Sequence, residues 1–164
     1  MKMIPALLGA VLLVAAPRVE AAPLPDDKTD VAIRRAIAFL ITQQDKDGAI
    51  QTQFQWANRT AMTALSLMAM ASVGHQPADD TPQGQAMKKA LAFILRPENQ
   101  DASGYFGSKD GSRMYGHGII TLTLAEMLGM GADAVMDKQI TERCKAAVQV
   151  ILRAQAVPKT PHDE

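Results

Sequence analysis

The chain has a single cysteine, Cys144, so no disulfide can form within it. Aromatic residues make up only 4 % of the sequence, with one Trp, two Tyr and four Phe. Packing must therefore rest on Ala, Leu, Ile and Met. Neither sign of charge prevails: 17 basic residues face 17 acidic ones, and this balance excludes the basic footprint of a nucleic-acid binder. No stretch shows the alternation of a half-buried strand, which excludes a β architecture. No apolar run reaches the roughly 20 residues that a membrane span needs.

What is present begins with the amino terminus. Lys2 gives a positive start, Ile4 to Ala16 is an apolar stretch, and Val19-Glu20-Ala21 offers small residues at a cleavage site. This is the layout of a secretory signal peptide over residues 1–21. It predicts an exported protein, periplasmic or secreted, with no membrane span after cleavage. Residues 22–29 then read as a linker, 30–155 as one helical segment and 156–164 as a tail.

The helical segment says one thing three times. Arg35-Ala36-x-x-Phe39-Leu40 runs on to Gln44, Gly48 and Ile50. Lys89-Ala90-x-x-Phe93-Ile94 runs on to Gln100, Gly104 and Phe106, and Ala147-x-x-Val150-Ile151 reaches Gln155. A period of this length marks a repeat architecture, in which each unit buries its apolar face against its neighbours. Each string lies on an amphipathic stripe, such as Ile33, Ile37, Leu40 and Ile41, or Met87, Leu91, Ile94 and Leu95. Outer helices are predicted near 30–44, 83–96 and 137–155, with Thr29 or Asp30 capping the first and Thr81-Pro82 opening the second. Between them, 58–73 and 117–130 are apolar nearly all round, as befits inner helices buried on more than one side. The predicted fold is all-α, built of repeated helical hairpins.

The repeated string resembles the QW motif of the prenyltransferase and squalene oxidase repeat: a basic and a small residue, an aromatic and an aliphatic, then Gln, Gly and an aromatic. Ile50 stands where Trp is usual, the second copy carries two extra residues before Gln100, and the third stops at Gln155. The closest overall resemblance is to exported proteins similar to the squalene cyclase C-terminal domain, through Met114-Tyr115-Gly116-His117 and Ile151 to Gln155. The resemblance implies part of an α/α toroid with the terpenoid cyclase fold, and a truncated or partial member of the family. In physical terms, Gln44, Gln100 and Gln155 are structural staples. A Gln at the outer helix end can bond the last carbonyls of one helix and the first amides of the next. Gly48 and Gly104 allow the turn, and Phe106 can stack on the amide.

The chemistry that the family would need is missing. No Asp-x-Asp-Asp string is present to protonate an alkene. Cys144, His75, His117 and His162 show no metal-ligand spacing, so no cofactor and no metal is expected. Candidate pocket residues are few. His117 stands between Gly116 and Gly118, where an inner helix is predicted to start and where exposed amides suit a polar group. Tyr115, Arg113 and Trp56 are expected at the same end. Glu126 is a carboxylate in an apolar helix, where burial would raise its pKa. The leading expectation is a non-catalytic module that takes an apolar ligand or protein partner on its inner-helix face, or self-associates. The alternative is a fragment of a terpenoid cyclase-like or prenyltransferase-like enzyme whose catalytic residues lie outside this chain.

Overall fold

The computed structural model describes residues 27–51 and 57–158. They form five α-helices: α1 (Lys28–Thr42), α2 (Arg59–Ser72), α3 (Pro82–Ile94), α4 (Arg113–Glu126) and α5 (Ala134–Gln155). One 3₁₀ turn, Pro97–Asn99, follows α3. The chain is all-α as expected, with no strand among the described residues beyond a single bridge between Gln44 and Ile50.

The helices sort into two kinds. α2 and α4 pack side by side, α3 packs on α2, and α5 packs on α4. α2 and α4 bury Ala61, Ala64, Leu67, Met70, Ile120 and Leu124 in the core. They hold Thr60, Thr63, Ser66, Thr121 and Thr123 buried as well. Several of these hydroxyls return a bond one turn back: Thr63 Oγ1 to Arg59 O, Ser66 Oγ to Met62 O and Thr121 Oγ1 to His117 O. A buried Thr or Ser satisfied in this way costs the core little. The outer helices bury one stripe each: Met87, Ala90, Leu91 and Ile94 on α3, and Met136, Ile140, Cys144 and Ala147 on α5.

Helix starts are set by side chains, not always the expected ones. Asp27, not Thr29 or Asp30, caps α1, and Asp30 completes a reciprocal capping box with it. Thr81 caps α3 ahead of Pro82, as predicted, and Asp133 caps α5. The second inner helix lies one turn upstream of its predicted place, 113–126 and not 117–130. Gly116 and Gly118 read as helix-opening residues in the sequence. Gly116 is instead inside the helix, where a side chain would overlap Ser112 Oγ. At the other end, Gly129 takes a left-handed φ of 74° and the chain turns away.

Candidate functional site

The repeated string builds the same turn twice. Gly48 N–H donates to Asp45 O and Gly104 N–H to Asp101 O, both at 3.0 Å. Asp45 N–H donates to Ala49 O at 2.8 Å and Asp101 N–H to Tyr105 O at 2.9 Å. Each turn then docks on the next outer helix. Gln44 Nε2 donates to Gly48 O and to Ala86 O of α3, at 3.0 and 2.9 Å. Gln100 Nε2 donates to Gly104 O and to Arg143 O of α5, at 2.9 and 3.0 Å. The staple therefore joins neighbouring copies, whereas the sequence suggested a bond between the two helices of one hairpin. The reason is reach: an amide at the end of α1 lies beside α3, and α3's carbonyls have a second lone pair to offer.

The two glycines are required by that docking. Gly48 has a φ of 95°, and a Cβ there would lie 2.3 Å from Lys89 O of α3. Gly104 has a φ of 94°, and its Cβ would lie 2.5 Å from Ala146 O of α5. Ile50 and Phe106 close the turns as core residues, 4 % and 0 % exposed. Arginines one helix on brace the same turns: Arg96 Nη2 donates to Asp47 O at 2.9 Å and Arg153 Nη2 to Ser103 O at 2.7 Å. Gln155, the third copy's Gln, is exposed at the end of α5.

His117 belongs to this scaffold. It lies in the second turn of α4, fully buried, and not at an exposed helix start. Its Nδ1 accepts from Phe106 N–H at 3.1 Å, so Nε2 carries the proton and donates to Ala147 O at 3.1 Å. One ring thus ties the second turn and α4 to α5. Burial, offset in part by the Ala147 carbonyl, holds its pKa below the usual histidine value. In the first copy Thr63 does half of this job, accepting from Ile50 N–H at 2.9 Å through Oγ1. Cys144 is buried, and burial raises its thiol pKa.

Two further groups escaped the sequence reading. Asp110 caps α2 from about 50 residues away: its Oδ2 accepts from Thr60 and Ala61 N–H at 3.0 and 3.3 Å. Its Oδ1 accepts from Ser112 N–H at 3.0 Å, so one carboxylate joins the starts of α2 and α4. α2 has no side-chain cap of its own in sequence. Arg59 binds both Asp45 and Asp47, and its guanidinium lies 5.3 Å from the Phe93 ring centre. Hydrogen bonds from Gln51 and then Arg59 hold the Asp45 carboxyl below its usual pKa.

The candidate pocket residues do not form one site. Tyr115 is 88 % exposed and Arg113 is exposed, both at the first turn of α4. Glu126 is the last residue of α4, exposed and not buried. At about 1.5 Å per residue, some 16 Å of helix separates it from Tyr115. His117 faces the opposite way, into the turn and α5. Trp56 lies outside the described residues.

What the structure does bring together is the seam between α2 and α4. A groove of about 330 Å³ is lined by Asn58, Met62 and Leu65 from α2's side and Tyr115, Gly116 and Ile119 from α4's. Met62, Leu65 and Leu122 are 40, 41 and 51 % exposed, and Leu122 continues the Tyr115–Ile119 stripe at helical spacing. Ser112 also lines this groove, and its Oγ is buried with no hydrogen-bond partner among the described residues. At the other end of the seam, Met68, Met127, Met130 and Glu126 line a smaller hollow of about 220 Å³. No cluster of metal-ligating side chains exists among the described residues, and none of their helices is long and apolar enough to cross a membrane. Comparison with known protein families, curated proteins and solved structures finds no match to this chain.

Proposed function

We propose that this chain is an exported helical-repeat module, a partial α/α toroid related to the prenyltransferase and squalene oxidase repeat, that binds an apolar ligand or protein segment along the α2–α4 seam without catalysing a reaction on it. The observation that supports this reading is the apolar strip of Met62, Leu65, Tyr115, Ile119 and Leu122. Met62, Leu65, Tyr115 and Leu122 are exposed and Ile119 is partly buried, on two helices that also contribute to the core. Inner helices that expose large apolar side chains on one face offer a binding surface more readily than a chance patch does. Ser112 and Asn58 add polar side chains to one end of the groove lining. A long apolar molecule with one hydrogen-bonding group suits that combination.

The test is titration of the purified chain with a fluorescent long-chain acyl probe and with a hydrophobic dye. Binding that is saturable and is lost in Leu65→Asp and Leu122→Asp supports the reading. Retained binding in both variants, with helix content unchanged, refutes it.

A further inference from the structure

Methionine is adaptable enough to fill irregular gaps in a core. Three methionines here instead line a gap that stays open. Met68 of α2, with Met127 and Met130 at the end of α4, walls a hollow of about 220 Å³ together with Ala71, Ser72 and Glu126. The groove at the other end of the seam has one methionine, Met62. Local structure builds the set. Met68, Ala71 and Ser72 share one face of α2 at helical spacing. Gly129, with its left-handed φ of 74°, turns the chain back after α4, and Met130 N–H donates to Met127 O at 3.0 Å. Met127 is 1 % exposed, and Met68 and Met130 are partly buried.

The charge at this end of the seam favours a cation. α2 ends at Ser72 and α4 at Glu126, so both helices bring their carbonyl ends to the hollow. Those ends are the negative poles of the helix dipoles. Neither helix has a basic residue in its last turn, and none of the side chains lining the hollow is basic. Glu126 adds a carboxylate. Zinc and the hard cations are held by imidazole, thiolate and carboxylate groups. Among the described residues His, Cys, Asp and Glu gather nowhere in threes. Thioether sulfur is a soft, neutral ligand and selects Cu(I). We propose that Met68, Met127 and Met130 form a thioether site for a soft monovalent cation of the Cu(I) class, with the Glu126 carboxylate and the ends of α2 and α4 offsetting its charge. The site stands whatever the groove at the far end of the seam takes.

The test titrates Ag(I), a redox-inert stand-in for Cu(I), into the full chain with isotope-labelled methionine ε-methyl groups. The signals of Met68, Met127 and Met130, assigned by single Met→Leu variants, should shift together and saturate at one equivalent. Leu is close to Met in volume, so these variants keep the packing. In a Cys144→Ala background, which removes the chain's only thiol, the protein should take Cu(I) from a chromophoric chelator under reducing conditions. Met68→Leu with Met127→Leu and Met130→Leu should abolish that uptake. Ag(I) shifts confined to other methionines overturn the proposal, as does equal Cu(I) uptake by the three-Leu variant with helix content unchanged.

Discussion

Gln100 and His117 each make bonds that no neighbour can replace. Gln100 is 5 % exposed, donates to two carbonyls and accepts from Arg143 Nη1 at 3.2 Å. Gln100→Ala takes its donor from the turn carbonyl of Gly104 and the extra bond from Arg143 O, and should cost about 1–3 kcal/mol in urea unfolding. Gln44→Ala should cost less, because Gln44 itself is only partly buried where Gln100 is buried. Equal losses at the two positions would show that burial does not set the staple's worth. His117 makes stability depend on pH. Its folded pKa lies below the unfolded value, near 6.5. Its contribution is therefore fully present above that value and is lost as pH falls from there through the folded pKa. A protonated Nδ1 can no longer accept from Phe106 N–H. Melting temperatures across pH 7 to 5 should fall in the native chain, and His117→Gln should flatten that slope. Gln and Gly were legible in the sequence as a staple. The role of His117 was not, because its partners Phe106 and Ala147 lie 11 and 30 residues away.

At the scale of the element, α2 shows how a helix can depend on a distant loop. Its own cap position, Asn58, makes no side-chain capping bond, and the amides of Thr60 and Ala61 in the first turn go to Asp110. A carboxylate there also meets the positive end of the helix dipole. Asp110→Ala should destabilise the chain by about 1 kcal/mol, the usual worth of a cap, and hydrogen exchange should quicken first at the starts of both α2 and α4. Loss of protection at one helix alone would show that the carboxylate does not join them. The outer helices were placed to within a few residues by their apolar stripes. The second inner helix was misplaced by a turn. A helix apolar on all sides has no periodic signal to mark its ends, and its glycines serve packing as well as termination.

For the whole molecule, the exposed strip on α2 and α4 has a cost. Met62, Leu65, Leu122 and Leu128 are 40 to 51 % exposed on helices or their ends that belong to the core layer, and contiguous apolar surface of this kind drives association. Sedimentation of the purified chain should show mass rising with concentration through the micromolar range. Leu65→Asp together with Leu122→Asp should return it to a monomer. A monomeric native chain at high micromolar concentration, unable to take up a hydrophobic dye, would mean that the strip is satisfied from within.

The sequence by itself determined the helical class, the order of outer and inner helices, the period and the Gln-Gly turns. These follow from local spacing, since a helix face and a turn are each set by residues within one or two turns of one another. Only the tertiary structure decided what the turns dock on, where His117 points and which carboxylate caps α2. It also decided that Tyr115 and Glu126 lie at opposite ends of one helix. Those outcomes depend on contacts across 30 to about 50 residues, and no local pattern carries the distance between groups that only packing brings together.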